Sequence, residues 1–145
     1  MLILKIFHIA FAATWFGGTL STAGDIRRTI ALGAPHLGPL HARLRRAGLI
    51  ARISGLSTLL SGVGLIFYFG GFAKVATRFH IALGLTILSA VVGVVIAKTT
   101  DKLIAQGEAA EPATLQPIAK RIAMLSGIFQ LLWFVNLCIM VIASL

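Results

Sequence analysis

Residues 122–145 read IAMLSGIFQLLWFVNLCIMVIASL, a run of 24 residues without a charge. At about 1.5 Å of helix rise per residue, such a run crosses a hydrocarbon layer about 30 Å thick. A helix of a water-soluble domain rarely stays apolar for so long, because one of its faces meets water. Three other stretches share this character. Residues 2–23 are interrupted only by Lys5 and His8, residues 49–72 only by Arg52, and residues 77–97 only by Arg78 and His80. The expected fold is all-α: an integral membrane four-helix antiparallel bundle, one transmembrane domain over residues 1–145.

Composition agrees and removes several function classes. The chain is 58% hydrophobic and 12% charged, where soluble domains run at about 45–50% and about 25%. Its mean hydropathy is +0.97. One cysteine excludes a disulfide framework and a multi-cysteine zinc or iron–sulfur site. Four acidic residues leave little for paired-carboxylate catalysis. The sequence contains no Ser–His–acid set, phosphate loop or zinc motif.

Residues 24–48 and 98–121 are the polar connections. Within the first, Leu40 to Arg52 (LHARLRRAGLIAR) places basic residues at helical spacing and reads as an extension of the second helix into the headgroups. Gly70, Gly71 and the residues up to Ala76 form a tight turn, which makes the second and third helices a hairpin. The two polar connections and their flanks hold ten of the Lys and Arg residues, and the opposite face holds Lys5, Lys74 and Arg78. The positive-inside rule then puts residues 24–48 and 98–121 in the cytoplasm and both termini on the outer, periplasmic side of a bacterial inner membrane. The net charge of +9 is accounted for by loops over an anionic leaflet, and no nucleic-acid partner is needed. Lys5, an apolar run and Ser21-Thr22-Ala23 also match the anatomy of a cleaved leader, but the run is long for one.

Ionisable residues inside a span are costly and mark functional positions. His8 lies about two turns into the first helix and His80 about one turn into the third. Those helices run in the same direction, so both imidazoles fall in the outer half of the bilayer. That placement suits the two axial ligands of one haem. Ala12 and Gly84 each stand four residues after a histidine, where a porphyrin needs small side chains. Trp15 continues the His8 face. Tyr68, Lys74 and Arg78 at the outer rim suit haem propionates, and Asn136 suits a ring N–H as an acceptor. Met140 is an alternative axial ligand to His80. The plain alternative is that each histidine is an interfacial or interhelical polar group. The glycine and hydroxyl face of the second helix (Gly55, Thr58, Gly62, Gly64) permits close approach of a helix or a flat cofactor.

Lys5-Ile6-Phe7-His8 followed by Trp15-Phe16-Gly17-Gly18 resembles the opening of small four-helix bacterial membrane proteins. These are the HemJ-type protoporphyrinogen oxidases and the copper-resistance D-like group. The resemblance covers about twenty residues and the four-span layout. It implies a b-type haem on His8 and admits an oxidoreductase activity of the protoporphyrinogen oxidase kind. Residues 72–80 depart from the pattern expected of the oxidases, and Lys74 does not align firmly with it.

The leading functional expectation is therefore a membrane b-type haem redox protein. It would transfer electrons or oxidise a membrane-soluble reductant such as quinol or a porphyrinogen, with the bilayer and a redox partner or quinone as partners. Whether it is an enzyme stays open at this level. The alternative is a cofactor-free accessory subunit of a larger membrane complex or a homo-oligomer. Metal transport is disfavoured, because Cys138, Met1, Met124 and Met140 form no paired ladder of soft ligands.

Overall fold

The computed structural model describes residues 2–142 and is all-helical. Helix α1 spans Leu2–Leu32, α2 Leu37–Tyr68, α3 Thr77–Ala105 and α4 Pro112–Ile142, with one 3-10 turn at Ala34–His36 between α1 and α2. Each of the four is long and apolar enough to cross a membrane. The end of the fourth expected span, residues 143–145, lies outside the described residues, as does Met1. Consecutive helices pack side by side and α4 closes back on α1, while α1 and α3, and likewise α2 and α4, stand at opposite corners with no close backbone approach among the described residues.

The apolar residues face outward. Leu2 is 71% exposed, Ile9 65%, Phe67 64% and Leu131 63%, and large aliphatic side chains cover the outer faces of all four helices. In water this surface would far exceed the few hundred Å² of contiguous apolar patch that soluble monomers tolerate. A bilayer is the solvent that matches it, consistent with a multi-pass membrane protein. Inside the bundle the pattern is reversed, with small and hydroxyl residues on the interior. Ser54, Thr58, Ser89 and Thr99 are buried, and each donates to the carbonyl four residues back in its own helix at 2.7–2.8 Å. In an apolar medium such internal bonds satisfy these four hydroxyls and let the backbones approach.

The helices run well past the apolar stretches. Helix α1 continues to Leu32, α2 already begins at Leu37, α3 ends at Ala105 and α4 begins at Pro112. Residues 24–48 and 98–121, expected as loops, are therefore mostly helix, and the true connections are short. The reason is amphipathic periodicity within the polar segments. Ile26, Ile30, Leu37, Leu40, Leu44, Leu103, Leu115, Ala119 and Ile122 form one buried cluster, while Arg27, Arg28, Arg43, Arg45, Arg46, Lys102, Lys120 and Arg121 stay exposed. The basic end of the bundle thus carries an aliphatic core of the soluble kind. Arg43 clips α2 to α1 there, donating from Nε and Nη2 to the two carboxylate oxygens of Asp25 at 3.0 and 2.9 Å. At the opposite end the α2–α3 turn takes the form expected from its glycines: Gly70 and Gly71 have φ of 101° and 86°, a region closed to most side chains. Because Ile122 is fully buried in the cluster, Ile122→Val is expected to cost about 0.5–1.5 kcal/mol. Thermal unfolding in detergent followed by circular dichroism measures it.

Candidate functional site

His8 is half-buried in the α1–α2 seam. Its Nδ1 lies 2.9 Å from Ser61 Oγ, and Ser61 in turn donates its hydroxyl hydrogen to the Ser57 carbonyl at 2.6 Å. With that hydrogen committed, the Ser61 oxygen accepts and His8 donates from Nδ1. The neutral imidazole is thereby held as the Nδ1–H tautomer, with its lone pair on Nε2. Gly62 makes room for the ring: a Cβ there would stand 3.2 Å from His8 Cε1. Ser61 was not legible as the partner of His8 from the sequence. The signal was available, because it lies on the same small-residue face of α2 as Thr58 and Gly62.

The other expected site residues are distributed over the half of the bundle away from its basic end. His80 is exposed on α3, its ring 6.1 Å from that of Phe72. It belongs to the helix diagonally across from α1, whose backbone does not come close to that of α3 among the described residues. Met140 is half-buried on α4, which does pack against α1. Gly84, Tyr68, Lys74 and Arg78 are exposed. Lys74 folds its alkyl stem over Gly70, and the Arg78 guanidinium lies 5.4 Å from the Phe79 ring centre. Lys5 sits 5.4 Å over the ring of Phe69. Ala12 is half-buried on α1. Asn136 donates from Nδ2 to Thr86 Oγ1 at 3.0 Å, and Thr86 donates onward to the Ala82 carbonyl. The Asn136 Oδ1 is buried with no partner in the protein. A buried amide oxygen without a donor is an acceptor waiting for one, so Asn136 keeps the capacity expected of it.

Trp15 occupies the centre of the bundle. It is 6% exposed and meets all three other helices. Its ring stands edge-on to Phe129 of α4 with centroids 5.1 Å apart. It lies flush against Gly55 of α2, where a Cβ would come within 2.9 Å of Cε2, and it reaches Gly93 of α3. About two helical turns along α1 separate it from His8. It also forms one wall of a cavity of about 740 Å³ between α2 and α3 at the basic end, whose lining includes Thr19, Gly55, Gly93, Ser126 and Phe129. This volume lies within the about 300–1,000 Å³ range of small-molecule sites. Sequence reasoning missed this cavity, because it arises where α2 and α3 part.

Comparison of the chain with protein-family models, curated proteins and solved structures finds no match.

Proposed function

We propose that this chain is an integral membrane b-type haem protein with a redox function, placed in a bacterial inner membrane with both termini outside and the haem in the outer half. The observation that carries this reading is the 2.9 Å contact between His8 Nδ1 and Ser61 Oγ inside the bundle. A histidine that ligates iron through one nitrogen needs the other held by a hydrogen bond, and Ser61 supplies that hold within the bundle. When bound, haem b supplies reversible one-electron transfer at its iron. His8 would hold the iron through Nε2, with Ser61 keeping the ring oriented. His80 or Met140 would supply the second protein ligand. Lys74 and Arg78, exposed at the outer rim, suit the carboxylates of a porphyrin or of a substrate. Trp15 and Phe129 fill the centre of the bundle and exclude water from the side facing the basic end. Electron delivery falls to a partner or a membrane-soluble reductant, and oxidation of a porphyrinogen belongs to the same reading.

The visible spectrum of the protein purified after haem-sufficient expression tests it. A Soret band and a sharp reduced α band are expected. If neither develops, the proposal is wrong and the cofactor-free accessory subunit takes its place. His80→Ala and Met140→Leu then assign the second ligand. The substitution that converts the low-spin spectrum to a high-spin one has removed it.

A further inference from the structure

The α2–α3 cavity has a polarity gradient along its length. At its mouth stand Arg45, Arg52 and Lys98, with Asp101 as the single carboxylate. Asp101 lies 3.9 Å from Arg52, which leaves cations in excess. Further in, the wall is made by Trp15, Gly55, Gly93 and Ser126, and beyond them by Leu56, Leu59 and Ala90. Trp15 and Ser126 are 6% and 3% exposed, and both line the cavity. An indole N–H and a serine hydroxyl in such a wall are donors that a ligand's acceptors can use. Gly55 lies three residues from Arg52, and Gly93 five from Lys98. Trp15, which packs on both glycines, therefore sits about 5–8 Å deeper than the cations along the helix axes.

Charge at the mouth, hydrogen-bond donors a helical turn below it and an apolar end describe a single class of molecule. We infer that the cavity binds one anionic phospholipid from the leaflet at the basic end. Its phosphate lies among Arg45, Arg52 and Lys98, its glycerol ester carbonyls accept from Trp15 and Ser126, and an acyl chain runs along Leu56, Leu59 and Ala90. Basic recesses between membrane helices on the cytoplasmic side are suited to such headgroups. A quinone would satisfy the donors but leave the cations unused, and a free phosphate would leave the donors and the apolar end empty. The inference rests on the bilayer placement proposed above and is independent of haem.

Native mass spectrometry of the full chain, released from nanodiscs of equal phosphatidylglycerol and phosphatidylcholine, reads the occupant by mass. One phosphatidylglycerol per chain is expected to stay bound. Arg45→Gln/Arg52→Gln/Lys98→Gln should lower its retention by about tenfold or more, and Lys98→Gln alone by about fivefold. Gly93→Leu, which fills the cavity and keeps every cation, should abolish retention. Circular dichroism selects the variants that fold, and the single exposed Lys98 substitution keeps the charge arm readable if the triple variant does not. Equal retention of the two lipids, retention unchanged by Gly93→Leu, or an adduct with the mass of a quinone or inorganic phosphate overturns the inference while the bilayer placement stands. Extraction of the chain from membranes by alkaline carbonate without detergent overturns both.

Discussion

Trp15→Ala is expected to destabilise the bundle by about 3–5 kcal/mol, the range for removing a buried large aromatic side chain. The size follows from position. Trp15 touches Phe129, Gly55 and Gly93, one residue from each of the other helices, so its loss opens a cavity that no single helix can close. The partner substitution is Gly55→Ala. The added methyl would stand 2.9 Å from Trp15 Cε2, and both groups sit in packed helices, so α1 and α2 must separate. Overpacking of this kind costs about 1–3 kcal/mol. The double variant, Trp15→Ala with Gly55→Ala, should be more stable than the sum of the two losses, because the methyl then enters vacated space. Thermal unfolding of all four proteins in one detergent closes the cycle. Additive losses would mean that the indole does not rest on Gly55.

His8→Ala should remove all haem absorbance while leaving the helical circular dichroism in place, since His8 is half-buried at the less tightly packed outer end. Ser61→Ala is the more telling companion. It keeps the ligand and removes only the oxygen that accepts from Nδ1–H, so haem should still bind but about 10–100-fold more weakly, as for other partners of ligating histidines. Ser61→Thr keeps the acceptor and should restore most of the affinity. Titration of the purified apoprotein with haemin, followed at the Soret band, measures both. Full affinity in Ser61→Ala would mean that the ring is not oriented through Nδ1.

The span count and the α2–α3 turn were legible in the sequence because they depend on local quantities, the length of an apolar run and the chirality of glycine. The helical character of residues 24–32 and 37–48 was half legible. The basic residues at helical spacing were visible, but Ile26, Ile30, Leu40 and Leu44 become a core only against Leu103 and Ile122 from the other half of the chain. His8 was found because an ionisable group within an apolar run is conspicuous. Ser61 was not, because hydroxyls in such helices usually bond their own backbone, as Ser54 and Thr58 do. His80 was equally conspicuous by that rule, yet it lies exposed at the outer end of α3. Depth along a helix can be counted from sequence, whereas the direction a side chain faces depends on how the helices rotate against one another.

The sequence by itself determined that this chain makes four long apolar helices, that their hydrophobic residues exceed what one interior can hold, and that its cations gather at one end. These follow from transfer free energies and helix geometry, which act residue by residue. Only the tertiary structure decided that His8 turns to Ser61, that Trp15 packs at the centre against all three other helices, and that α2 and α3 part to leave a cavity lined by cations, an indole and a serine. Those outcomes rest on close packing of particular small residues, Gly55, Gly62 and Gly93, against particular rings. Packing of that kind is a relation between distant segments that no single stretch of sequence contains.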